Sequence, residues 1–259
     1  MPNLEPLLGK TLIVVAHPDD EVIACGGLMQ QMQQATVLFA TDGAPRDEYF
    51  WKDYGSREEY AAVRRREAVE ALSKVKAEPM FLSDLVAEGI ADQELFRLLN
   101  MAFTRMQRVL GRNETDCLLT LAYEGGHPDH DAACFLTWLC GQKTGLPVWE
   151  APLYHRDSEG KPAFQTFHQS TGAEQLVRIE GEMLEKKLAM FHSYRSQKLV
   201  VNGFRPEVEQ FRPMAGYDFT RPPFPWKLNY ELWQWPMTGQ QVADSFSELL
   251  RENSALAAG

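Results

Sequence analysis

Several protein classes are excluded by what this chain lacks. Its four cysteines, Cys25, Cys117, Cys134 and Cys140, include no Cys-x-x-Cys pair and lie in apolar periodic stretches. This pattern disfavours a thiolate metal site or a disulfide framework and fits reduced, buried thiols in the cytoplasm. No run approaches the ~18 apolar residues that a membrane-crossing helix needs. Met1 to Lys10 carries one basic side chain and leads straight into a strand-like run, unlike a secretory signal. Positive charge is scarce too: 26 Lys and Arg against 36 Asp and Glu leave a net charge of −10. Sequence-independent binding to nucleic acid or anionic lipid is therefore disfavoured. Arg64-Arg65-Arg66 is followed at once by Glu67 within a helical pattern, and two of the three arginines read as part of a solvated helix face. No Gly-x-Gly-x-x-Gly fingerprint follows the first strand, which disfavours a nicotinamide enzyme. Internal repeats and low-complexity segments are absent.

What remains is an ordinary globular composition, 44% hydrophobic and 24% charged over 259 residues, long enough for a substantial core. Residues 11–16 and 36–40 read as buried strands, and 79–83, 117–121 and 147–153 as three more. Helices are expected from about 21 to 34, from a Ser56/Glu59 capping box to about 77, from a cap at Asp92 to Gly111, from the run at 126–131 to about 141, and over 178–197. Alternating strands and helices on short connections predict an α/β fold: a Rossmann-like, doubly wound, mostly parallel sheet with helices on both faces. Residues 204–237 hold six prolines and many aromatics, so loops and short strands wrapped over the sheet are expected there. A last helix, about 239–252, should end in a frayed tail. We expect one domain over 1–259, with an α/β core to about 200 and a C-terminal extension over 201–259.

Two runs carry the chemistry: Ala16-His17-Pro18-Asp19-Asp20-Glu21 and Gly126-His127-Pro128-Asp129-His130-Asp131. They hold three of the chain's six histidines, and each follows a strand and opens a helix. In Rossmann strand order the first and fourth strands are neighbours at the switch point, so the two runs meet at their carboxyl ends. A catalytic zinc ion needs about three His, Asp, Glu or Cys ligands and a free position for water. His17 and Asp20 can face one point across the first turn, with His130 as third ligand. Asp19 then stays free to take a proton from water. His127 faces the developing oxyanion or the leaving group, and Asp129 is expected to hold the His127 ring.

The two runs together resemble the signature of the LmbE/PIG-L family of zinc-dependent N-acetylglucosaminyl deacetylases. The resemblance spans roughly residues 8–200. It includes Thr41-Asp42-Gly43, Arg64 with Glu67, and Lys187 with Tyr194-Arg195-Ser196-Gln197. It implies His17, Asp20 and His130 as ligands of Zn²⁺ (Fe²⁺ or another divalent metal being compatible), Asp19 as general base and His127 as acid or oxyanion stabiliser. Some members carry a tyrosine where this chain has Gly125, leaving Tyr123 as the nearby replacement.

Arg64 and Asp84 are candidates for binding substrate, against a helix-surface salt bridge and a turn residue respectively. Asp42 is expected to support the motif loop. Trp226, Trp233 and Trp235 either stack on a sugar or pack in the core. The implied activity is metal-dependent removal of an N-acetyl group from a small N-acetylglucosamine-type substrate, with no nucleic-acid or membrane partner. A homo-oligomer is compatible with the composition. Two rivals remain: a hydratase or lyase acting on a carboxylated small molecule, and a non-catalytic metal- or sugar-binding module. A cluster of arginines at the site would favour the first rival.

Overall fold

The computed structural model describes residues 4–85 and 89–257, with side chains to Asn253. Five strands run parallel: β1 (Lys10–Val15), β2 (Gln34–Phe39), β3 (Glu78–Phe81), β4 (Cys117–Leu121) and β5 (Val148–Ala151). The connections carry helices α1 (Asp20–Cys25), α2 (Arg57–Ser73), α3 (Leu99–Leu110) and α4 (Pro128–Thr144). A hairpin of β6 (Tyr154–Arg156) and β7 (Pro162–Phe164) follows, then β8 (Gln175–Arg178), α5 (Gly181–Ser193) and α6 (Lys198–Val201). The chain closes with β9 (Val208–Pro213), α7 (Asn229–Leu232) and α8 (Gly239–Ala257).

The seven-stranded order is β3-β2-β1-β4-β5-β9-β8, with β9 antiparallel to both its neighbours. β1 lies beside β4, so the expected switch point exists. Side-chain alternation along the strands builds two cores. Ile13, Val15, Val37 and Phe39 join one core with Ala68 and Leu72 of α2 and Met190 of α5. Leu12, Val14 and Leu38 point the other way, towards Phe103 of α3, Phe135 of α4 and Phe246 of α8.

Three sequence expectations change. The helix expected over 21–34 stops at Cys25, because the buried Glu209 carboxylate accepts hydrogen bonds from the Gly27 and Leu28 amides (2.6 and 2.9 Å). Helix α3 starts at Leu99, so Asp92 does not cap it. The frayed tail is helical to Ala257; residues 258–259 lie outside the described part. The stretch 204–237 also does more than wrap the sheet, since β9 within it adds a strand beside β5. Among the described residues, no helix is long and apolar enough to cross a membrane.

Candidate metal centre

The turn after β1 is strained. Asp19 has φ 136°, a region costly for any residue with a Cβ. Several partners hold it there. The Asp19 amide donates to Glu21 Oε2 (3.1 Å), and the Tyr194 hydroxyl donates to Glu21 Oε1. Arg64, reaching in from α2, donates to Pro18 O (2.7 Å) and Gly43 O (2.9 Å) and pairs with Asp19 Oδ2 (3.3 Å). Behind them, Ser196 donates to Glu67 (2.6 Å) and Gln197 to Tyr60 (2.7 Å), so the Tyr194–Gln197 segment buttresses this turn from below.

The turn after β4 is pinned differently. Asp131 Oδ1 accepts from the Glu124 and Gly125 amides, and Asn229 donates from its backbone to Gly125 O and from its side chain to Gly126 O. His127 then caps α4, its Nδ1 accepting from the Asp129 amide (3.1 Å).

Between the two turns three side chains converge. His17 Nδ1 lies 3.2 Å from His130 Nε2, His130 Nε2 is 3.2 Å from Asp20 Oδ1, and His17 Nδ1 is 3.4 Å from Asp20 Oδ2. Ligands held at ~2.0–2.1 Å from a tetrahedral ion lie about 3.3 Å apart, so these separations match the edges of such a site. The set fits a divalent metal. His127 also has a ring nitrogen within 4.8 Å of those of His17 and His130. Its Nδ1 lone pair is already taken by the Asp129 amide, however. The neutral ring therefore carries its proton on Nε2, 3.2 Å from Asp92 Oδ1, and has no lone pair left for a metal.

The surroundings set the charges. Burial pushes the Asp19 carboxyl up to about 7, although Arg64 opposes it. Burial acts the same way on Asp20, but His130 and His17 outweigh it and hold that carboxyl far below its usual range. Burial lowers His17, yet Asp92, Asp129 and Asp20 lift it well above an ordinary histidine. His127 is lowered by burial and by the neighbouring His17.

Three expected site residues are corrected. The Asp129 carboxylate does not hold His127: it accepts from the Gln93 amide (2.6 Å), the Leu95 amide (2.9 Å) and His17 Nε2 (3.3 Å), because the 93–95 turn folds over it. Asp84 is half exposed and forms a bidentate pair with Arg65 (2.6 and 2.7 Å), away from the cavity. Tyr123 packs in the aromatic core with Phe219 and donates its hydroxyl to Arg221 O (2.7 Å), so it does not face the site. Nor can a tyrosine replace Gly125, which has φ +63° and would bring a Cβ within 2.6 Å of Leu228 Cδ2. Asp42 supports its own turn, accepting from the Ala44 amide and from Arg57.

Two residues were missed. Asp92 Oδ1 stands 3.3 Å from His17 Nε2 and 3.2 Å from His127 Nε2, and its carboxyl is held well below normal by these rings despite burial. In sequence it looked like a helix cap, and only its place after the third strand hinted otherwise. Tyr154 follows β5, its ring 5.4 Å from that of His130, and lines the cavity. The cavity, of about 580 Å³, is also lined by Arg64, Asn229, Trp233 and Trp235, whereas Trp226 packs on Phe224 outside it.

The sequence model of the family described as GlcNAc-PI de-N-acetylase (PIG-L) matches residues 12–140, a span that contains both turns. The chain belongs to the PIG-L family. PIG-L proteins are metal-dependent, in keeping with the donor set found here. A Bacillus cereus relative named as a probable N-acetyl-alpha-D-glucosaminyl L-malate deacetylase is 26% identical over 192 residues, covering 72% of this chain and 82% of its own length. Among solved structures, the A40926 pseudoaglycone deacetylase Dbv21 matches with a TM-score of 0.62 at 18% identity, over 80% of this chain and 99% of its own. The N,N'-diacetylchitobiose deacetylase of Pyrococcus horikoshii matches with a TM-score of 0.57 at 22% identity, over 83% of this chain and 87% of its own. At these identities the structural likeness shows a shared fold.

Proposed function

We propose that this chain is a metal-dependent hydrolase that removes the N-acetyl group from an N-acetylglucosamine-type substrate. The observation that carries the reading is the triangle of His17 Nδ1, His130 Nε2 and Asp20 with the free carboxylate of Asp19 beside it. The names of the relatives point the same way. Two histidines and one carboxylate suit Zn²⁺, and Fe²⁺ nearly as well.

A divalent cation held there supplies Lewis acidity toward the amide carbonyl and lowers the pKa of water. Asp19 takes the proton from the attacking water. Arg64 holds Asp19 in place and favours its ionised form. His17 donates its Nε2 proton to Asp129, which fixes the ring so that Nδ1 faces the cation. His127 presents its Nε2–H, 3.2 Å from Asp92 Oδ1, as a neutral hydrogen-bond donor toward the carbonyl oxygen, and Asp19 passes the proton it took from water to the departing amine. Tyr154 lines the same cavity, its ring 5.4 Å from that of His130. Arg64 thus acts on the base rather than on the substrate. Four buried free thiols fit a reducing compartment, and we place the enzyme in the cytoplasm.

The hydratase or lyase rival would need cationic groups for a carboxylated substrate. Arg64 and Arg156 are the only arginines lining the cavity among the described residues, and both already have partners. A binding module would not need Asp19 held in a strained conformation beside the donor triangle. The test is acetate release from a panel of N-acetylated sugars, with and without a chelator. Chelator-sensitive release is expected. No release by metal-loaded protein across the panel would end the reading.

A further inference from the structure

The cavity has two chemically different ends. Its floor carries His17, Asp19, Asp20, Asp92, His127 and His130, all buried or nearly so. Its mouth is apolar and open. Phe50, Phe164, Leu199, Val200 and Trp233 line it while being 40%, 47%, 92%, 48% and 47% exposed. They come from separate segments: the turn before α2, β7, α6 and the end of α7. Nine large hydrophobic side chains are exposed among the described residues, and these five gather around this one opening. Scattered surface hydrophobes need no explanation, but a cluster drawn from distant parts of the chain marks a binding surface.

Charge narrows what can bind there. Arg156 spends Nε on Asn229 Oδ1 (2.7 Å) and Nη1 on Gly160 O (3.1 Å), and Arg64 is committed to the strained turn. No lysine lines the cavity among the described residues. Both partners of Arg156 are neutral and leave its charge in place, but it is only partly exposed, whereas the five exposed side chains of the rim are all apolar, so a group lying on the rim itself meets carbon. Position narrows it further. A scissile amide has to lie on the floor, beside the donor triangle. The part of the substrate that reaches the exposed rim is then the part that projects outward from the sugar.

We propose that the substrate carries an uncharged hydrophobic aglycone, alkyl or aryl, on the anomeric oxygen of its N-acetylated amino sugar, and that Leu199, Val200, Phe164 and Trp233 hold it. This inference rests on the deacetylase reading for its reaction, but its binding term can be measured separately. Each methylene of the aglycone laid on the rim should then raise kcat/KM about fourfold, following the hydrophobic transfer of a buried CH₂.

The experiment uses the metal-loaded enzyme and methyl, butyl and hexyl N-acetylglucosaminides of both anomers, all below their critical micelle concentrations. Carboxymethyl N-acetylglucosaminide and methyl glucosaminides with longer N-acyl chains complete the set. A steep rise from methyl to hexyl is expected, with the carboxymethyl glycoside the poorest. Leu199→Ser and Trp233→Ser should flatten the series; Leu199 is too exposed for its replacement to unfold the protein. A flat series overturns the proposal. So does preference for the carboxymethyl glycoside, a gain that follows the N-acyl chain instead of the aglycone, or a gain confined to micellar substrate. Calorimetric binding of the same glycosides to Asp19→Asn protein separates the two failures. Affinity rising with chain length while no acetate is ever released would sink the deacetylase reading alone. Acetate release with no dependence on chain length would sink this inference alone.

Discussion

The turns after β1 and β4 present the same residue types to the same point, yet they are built on opposite principles. After β1 the awkward backbone conformation falls on Asp19, a residue whose side chain stands beside the donor triangle, and its cost is offset by Arg64, Glu21 and Tyr194. After β4 it falls on glycine: Gly125 has φ +63°, and a Cβ on Gly126 would sit 2.1 Å from Tyr154 O. One turn stores strain to aim a carboxylate. The other removes side chains so that the backbone can pass close to the start of β6, and the side chains that face the cavity are those of His127 and His130 around the start of α4. Strain concentrated on a polar residue beside the donor triangle is a sign of use.

The largest expected effect tests whether both turns serve one centre. His17→Ala and His130→Ala should each lose tightly held metal, read by elemental analysis, and all measurable acetate release. Full metal stoichiometry in either variant would remove that histidine from the donor set. Next, Asp19→Asn should keep its metal while kcat falls about 10²–10⁴-fold, since the amide retains the shape without the basicity. Loss of metal would instead make Asp19 a ligand. Asp129→Asn tests the support beneath the first turn's histidine. A 10–100-fold weaker metal affinity is expected from metal-buffer titration, and an unchanged affinity would show that the bond to His17 Nε2 is idle.

The strain comparison is read directly by a pair of stability measurements. Asp19→Gly should raise the unfolding free energy of metal-free protein by about 1 kcal/mol as the left-handed conformation is relieved. Gly126→Ala should lower it by about 1–3 kcal/mol through overpacking. The same sign for both in denaturant titrations would break the contrast between the turns. The smallest effect is on the pH profile. Asp19 must be ionised to act as a base, so kcat/KM should fall as pH drops through its pKa. A bound cation moves that limb below about 7. Arg64 opposes protonation of Asp19, so Arg64→Met should move the acid limb to higher pH. A limb that stays in place would detach Arg64 from the base.

Much of the site was legible in the amino-acid sequence. His17, Asp20 and His130 converge because β1 and β4 are neighbours, and that adjacency follows from short connections between alternating strands and helices. What local sequence could not supply was the partner of each polar group. Asp92 looked like a cap and Asp84 like a site residue, yet the 89–95 turn folds back so that Asp92 faces the histidines while Asp84 meets Arg65 at the surface. Asp129 sits two residues from His127, but its carboxylate turns to the Gln93 and Leu95 amides and to His17.

The sequence by itself determined the elements of the doubly wound sheet, the two histidine-carboxylate turns and the family they signal. All of these depend on residues close together in the chain or on strand periodicity. Only the tertiary structure decided that Tyr154 rather than Tyr123 lines the cavity, and that Arg64 pairs with Asp19. It also decided that β9 extends the sheet while Phe50, Phe164, Leu199 and Trp233 close into one apolar mouth. Those outcomes depend on contacts between segments tens to more than a hundred residues apart. Such contacts are set by how whole elements pack, and no local pattern of side chains encodes them.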